Sequence, residues 1–160
     1  MKILVADKFE KSGLDGLAAT GSEVLFEPDL KDDALGARLA DTGAEVLVVR
    51  STKVTPPILE RARGLALVIR AGAGVNTIDL PTASRQGVFV ANCPGKNGIA
   101  VAELALGLVL ALDRRIPENA EALRRGEWNK KEFSKGRGVK GRVLGIVGLG
   151  AIGKEVARRA

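Results

Sequence analysis

Apolar residues in the first part of the chain fall into five short, mostly uninterrupted runs, at 3–6, 24–26, 46–49, 65–69 and 88–91. They recur roughly every 20 residues, and continuous rather than alternating apolar character is what parallel strands buried on both faces require. The intervening segments read as helices. Ser12 is placed to cap a first one carrying Leu14 and Leu17, with Gly21 past its end. Asp32 or Asp33 opens a second, with Leu35 and Leu39 on one face and Gly43 beyond it. Pro56 and Pro57 suit the first turn of a third, and 77–86 forms a shorter fourth that stops at Gly87. Alternating β and α elements predict an open parallel α/β sheet with helices on both faces, whose working edge is the carboxyl end of its strands.

The pattern changes after the fifth run. Positions 99–112 are apolar on nearly every side, with Glu103 the single charge. This predicts a helix that is buried or lies in a subunit interface. After Pro117 an ordinary amphipathic segment leads toward Arg125, and a sixth strand is expected at 142–147. A domain boundary is expected near 94–98, with a first domain over 1–97 and a second over 98–160.

The sixth run ends in Gly148-Leu-Gly150-Ala-Ile-Gly153, three glycines spaced G-x-G-x-x-G between an expected strand and an expected helix. The first glycine permits a tight turn and the second lets backbone approach a pyrophosphate. The third lets strand and helix pack closely, so that helix-terminal N–H groups meet the anion. The plain alternative is a glycine-rich β–α turn that holds nothing. Gly148 to Lys154 also fits the opening of a phosphate-binding P-loop, but Glu155 stands where that motif needs a hydroxyl for Mg²⁺, and its carboxylate would repel phosphates.

Composition narrows the chemistry. With no histidine and a single cysteine, Cys93, the chain has no Ser-His or Cys-His pair, no disulfide framework, and no histidine or C-x-x-C metal site. The longest apolar stretch, 14 residues, falls short of the ~20 of a membrane span. A cytoplasmic location is expected. The net charge of +6 is concentrated between Arg124 and Arg142, which hold eight basic and two acidic residues interleaved with Trp128 and Phe133. A nucleic-acid patch can look like this. The balanced remainder of the chain favours a solvated surface connection instead, and no nucleic-acid partner is expected.

The strand-end rule directs attention to Arg50-Ser51-Thr52-Lys53, to Arg70-Ala-Gly72-Ala-Gly74, and to Asn92-Cys-Pro-Gly. If the third and fourth strands are neighbours, two arginines, a lysine, a hydroxyl and a glycine-lined backbone converge on one crevice. Guanidinium forks match phosphate or carboxylate, and exposed backbone amides form an anion nest. The expected ligand is a small, doubly anionic molecule.

Five segments carry a family likeness: Val49-Arg-Ser-Thr-Lys-Val-Thr55, Ile69-Arg-Ala-Gly-Ala-Gly-Val-Asn76, Asn92-Cys-Pro94, Val101-Ala-Glu103 and Leu144-Gly-Ile-Val-Gly-Leu-Gly-Ala-Ile-Gly153. Over essentially all of its length the chain resembles the N-terminal half of the D-isomer-specific 2-hydroxyacid dehydrogenases. The Arg-Ser-x-Lys-Val-Thr element favours a branch whose substrate is phosphorylated. The resemblance implies a flavodoxin-like substrate (lid) domain followed by the start of a Rossmann domain that binds NAD. It implies that Arg50, Ser51, Lys53 and Arg70 hold the phosphate and that backbone at Gly72 and Gly74 meets the carboxylate of a small 2-hydroxy or 2-oxo acid. Ala73 then lies near the nicotinamide, where the family often has Thr or Ser. Gly148, Gly150, Ala151, Ile152 and Gly153 serve the pyrophosphate. The full-length protein is expected to be a homo-oligomer, with the connection around Trp128 near the dimer contact.

The same resemblance implies what these residues do not include. The family's catalytic Arg, Glu and His belong to the second half of its chain, and an acidic residue about 20 positions beyond the glycines binds the ribose. No catalytic residue is therefore assigned here, and the chain is expected to be the inactive N-terminal part of a longer enzyme. Asn76 stands where the family commonly has Asp.

Overall fold

The computed structural model describes residues 1–160. Each of the five apolar runs becomes a strand: β1 (Lys2–Val5), β2 (Glu23–Phe26), β3 (Val46–Val49), β4 (Leu67–Arg70) and β5 (Phe89–Asn92). All pairings are parallel, in the order β2-β1-β3-β4-β5. This is the flavodoxin-like order, in which the chain reverses its direction of travel across the sheet between β1 and β3. The central strands read as continuous apolar runs because both of their faces are covered: every residue of β3 is buried.

Successive side chains on each strand point to opposite faces and so supply two cores. Leu4, Leu47, Val49 and Val68 join Leu35, Leu39, Ile58 and Leu59 on one face. Those partners come from α2 (Asp32–Thr42) and α3 (Pro56–Arg61), and Ala83 of α4 (Leu80–Arg85) extends the layer. Ile3, Val5, Val46 and Val48 pack on the other face against Leu14 and Leu17 of α1 (Lys11–Ala18). Leu47 is completely buried on the middle strand. Leu47→Ala will therefore lower stability by about 2–5 kcal/mol through lost burial and a residual cavity. Urea unfolding followed by far-UV circular dichroism checks this, and a change below about 1 kcal/mol would contradict it.

The helix ends differ in detail from expectation. Ser12 lies inside the first turn of α1, whose cap position is Glu10, and no side chain caps it. α2 starts at Asp32 after Lys31, again with no side-chain cap, and closes as expected at a left-handed Gly43. α4 begins at Leu80 rather than at 77, because Ile78 is drawn into a bridge with Val54. Asp79 then caps the helix, accepting the Thr82 amide at 2.9 Å.

Met1–Lys96 and Asn97–Ala160 form two compact units. The second contains α5 (Gly98–Arg114), α6 (Ile116–Arg124), α7 (Lys130–Phe133) and α8 (Ala151–Arg159). Burial of the apolar helix is not observed. In α5 only Gly98 and Ala102 are buried, while Leu104 is 63% and Leu112 77% exposed. α8 is its main packing partner and covers one side. The expected run-on toward Arg125 is broken at Arg115, which takes a left-handed conformation two residues before Pro117, and a new helix begins. The sixth strand is also absent: 142–147 has no regular structure, and Val143 and Val147 are fully exposed. A strand exists through its ladder of hydrogen bonds, and this unit contains no second strand to pair with. No helix is long and apolar enough to cross a membrane.

Candidate functional site

The carboxyl ends of β1, β3 and β4 lie side by side in the first unit. β3 and β4 are neighbours, with Val49 opposite Arg70 and Arg70 opposite Asn92. Arg50 follows β3 directly, Ser51 and Lys53 are exposed, and Thr52 between them and Val54 after them are buried. The alternation turns the hydroxyl of 51 and the ammonium of 53 outward. Arg50, Lys53 and Arg70 form no ion pair with any carboxylate of the unit. Three unpaired cations at adjacent strand ends make a field that attracts anions.

Arg70 has a second task. Its Nε donates to the Arg50 carbonyl at 3.1 Å and its Nη1 to the Gly74 carbonyl at 2.9 Å, so its stem folds back over the following loop. The glycines make room for it: a Cβ at Gly72 would come within 2.9 Å of Nη1, and one at Gly74 within 3.2 Å. The loop's other carbonyls are tied down as well. Gly72 accepts from the Cys93 amide at 2.9 Å, and Ala73 accepts from Asn92 Nδ2 at 2.7 Å. The amides of Ala73, Gly74 and Val75 have no partner within the chain. Carbonyls held inward and consecutive amides left unpaired are the makings of an anion nest.

Asp7 is the residue that sequence reasoning missed. It sits just past β1, and its Oδ2 accepts three amides in succession, from Arg50 at 2.7 Å, Ser51 at 3.0 Å and Thr52 at 2.9 Å. The sequence carries a signal for it: Asp7 follows the first apolar run, at a strand end of the same kind as those after the third, fourth and fifth. Partial burial pulls the Asp7 pKa up, but the amides of Arg50, Thr52 and Ser51 outweigh that, and the net shift is below the ordinary 3.8. A carboxyl that titrates lower when folded adds stability that is complete above its unfolded value and is lost as pH falls through the folded one. Asp7→Asn will therefore flatten the loss of stability below about pH 4, which unfolding midpoints measured across pH would show. An unchanged acid limb would contradict it.

In the second unit the glycine run opens a helix as expected, but the strand expected before it is missing. Gly148 has φ +98°, a conformation open to glycine and costly for other residues. Gly150 caps α8 with no side-chain bond, leaving the first-turn amides at Ala151, Ile152 and Gly153 without helical partners. A Cβ at Gly153 would overlap the Gly148 carbonyl oxygen, whereas one at Gly150 meets nothing within 4 Å. The third glycine is thus required by packing and the second leaves open backbone. These features fit a pyrophosphate. Glu155, which spoiled the P-loop pattern, is occupied by Arg159 and Arg158, and the Arg159 hydrogen bond leads in holding its carboxyl below the usual range.

The basic stretch is partly self-neutralised. Arg125 pairs with Glu121 and Glu127, Lys135 with Glu132, and Arg142 with Asp113. Phe133 lies beneath the Arg115 guanidinium, 5.2 Å from its centroid, while Trp128 is exposed. Two concavities are present, one in each unit, and Asp113, Arg142 and Arg159 help to line the second. One of about 340 Å³ is lined by Leu80, Val88 and Phe89, and one of about 630 Å³ by Leu106, Leu110 and Leu144.

The first unit is thus a parallel α/β sheet with a cationic strand-end edge, and the second carries a glycine turn with open amides at the start of α8. The sequence profile of the D-isomer specific 2-hydroxyacid dehydrogenase catalytic domain matches residues 3–158, and the chain belongs to that family. It is 44% identical to D-3-phosphoglycerate dehydrogenase of Methanocaldococcus jannaschii over its full length and spans 30% of that protein. It is 47% identical to hydroxypyruvate reductase of Thermotoga maritima over 117 residues, covering 72% of this chain and 38% of that one. Among solved structures, NAD+-bound 3-phosphoglycerate dehydrogenase of Entamoeba histolytica is 30% identical, with a TM-score of 0.76 over 99% of this chain and 50% of that one.

Proposed function

We propose that this chain is the N-terminal part of an NAD-dependent dehydrogenase that oxidises a phosphorylated D-2-hydroxy acid, 3-phosphoglycerate being the first candidate, to the 2-oxo acid. The observation that carries the reading is the pairing of two anion-binding features on one edge. The unpaired cations Arg50, Lys53 and Arg70, with Ser51, match a phosphate, and the unpartnered amides after Gly72 match a carboxylate. Relatives named for phosphoglycerate support the choice of substrate. The relative named for hydroxypyruvate supports a second reading, an unphosphorylated glycerate-type acid, for which Arg50 and Lys53 would be idle.

In this reading residues 1–97 are the substrate-binding domain and 98–160 the start of the nucleotide-binding domain. Gly148, Gly150, Ala151, Ile152 and Gly153 hold the pyrophosphate through backbone, and Ala73 is a cofactor contact. NAD supplies the hydride acceptor. The exposed leucines of α5 suit an interface in a full-length homo-oligomer. The 160 residues include no histidine to take the hydroxyl proton. The purified chain will therefore bind 3-phosphoglycerate but not reduce NAD with it. Turnover by this chain alone would overturn the assignment of its role.

A further inference from the structure

We propose that Asp7 is the positioning residue of the anion site: its carboxylate fills the nest of backbone amides at 50–52 and so holds Arg50, Ser51 and Lys53 where the substrate's phosphate meets them. The inference rests on the reading of that strand end as an anion site. Three consecutive amides converging on one oxygen form the same device that binds phosphate in other proteins, but here the chain supplies its own anion. With the nest filled from within, an external anion is left to the side chains. Asp7 also enters no ion pair with Arg50, Lys53 or Arg70, so its charge is met by backbone dipoles and the cations stay available. Thr52 adds a second tie between the turn and the end of β1, its Oγ1 donating to the Ala6 carbonyl at 3.3 Å.

The position explains why a carboxylate is used there. β1 and β3 are neighbours at the sheet's switch point, and the connections leaving them run to helices on opposite faces, which leaves a crevice between the two strand ends. The turn after β3 makes no backbone ladder at 50–52, so its amides need another acceptor. Water would satisfy them without fixing the turn, whereas a carboxylate anchored on β1 sets its orientation.

The test compares the parent chain with Asp7→Asn and Asp7→Ala. Calorimetry with 3-phosphoglycerate measures affinity, and NMR amide exchange follows 50–52 and β3 separately. Asp7→Ala is expected to weaken binding about tenfold or more and to speed exchange at 50–52 while β3 stays protected. Sodium formate, small enough to enter the emptied nest, is expected to restore both without strengthening the parent. Asp7→Asn keeps an acceptor oxygen and should fall between the two. If Asp7→Ala fails to fold, Asp7→Asn carries the test through the same two readouts. A protected β3 with parent-like affinity in the folded variant would overturn the proposal, as would a loss that formate does not reverse. A parent chain that binds no 3-phosphoglycerate would sink the anion-site reading itself, and this proposal with it.

Discussion

Replacing both Arg50 and Arg70 with alanine will weaken 3-phosphoglycerate binding by about a hundredfold or more, the largest effect expected in the first unit. Each charge-assisted hydrogen bond to an anion contributes about 1.5–3 kcal/mol, and two are removed together. The single variants will not add simply. Arg50 is exposed and free of carboxylate partners, so its loss removes a ligand and little else. Arg70 also pins the carbonyls of Arg50 and Gly74, so its loss frees the loop carrying the proposed carboxylate nest. Arg50→Lys keeps the charge but not the fork and should recover part of the affinity. Calorimetry on the parent and the four variants decides the matter, and a double variant that binds like the parent would remove the site.

Gly153→Ala will disrupt the glycine turn, whereas Gly150→Ala will leave it standing. At 153 a methyl overlaps the Gly148 carbonyl oxygen, so α8 must move away from the turn for the side chain to fit. Overpacking of this kind costs about 1–3 kcal/mol and more where backbone is the obstacle. At 150 the methyl meets nothing within the chain, and the backbone there is extended, so folding is tolerated. What Gly150→Ala should lose is NAD affinity, because the methyl projects where the pyrophosphate has to approach. Far-UV circular dichroism and NAD titration of both variants separate the effects. Equal NAD binding by Gly150→Ala and the parent would contradict the assignment of that glycine.

The sheet was legible because parallel strands buried on both faces leave an unmistakable mark, and β3, with no exposed residue, leaves the clearest one. Strand neighbours were not legible. Whether the ends of β3 and β4 met was a conditional until the pairing of Val49 with Arg70 supplied the answer. Asp7 escaped notice for the same reason: its partners are 43 to 45 residues away, and only the adjacency of β1 and β3 brings them together. The fourth helix starts later than the expected 77 because tertiary pairing, that of Ile78 with Val54, decides where a short helix begins. The segment 142–147 shows the limit of apolar pattern as evidence. It has strand composition, but pairing is a property of two segments and the second unit offers one.

The most direct measurement is an NMR titration of the isotope-labelled chain with 3-phosphoglycerate and, separately, with glycerate. The account predicts saturable shifts at Arg50, Ser51, Lys53 and Arg70 and at the amides of 73–75, with glycerate binding at least about tenfold more weakly for want of the phosphate. Equal affinity for the two acids, or shifts confined to residues outside those strand ends, would contradict it.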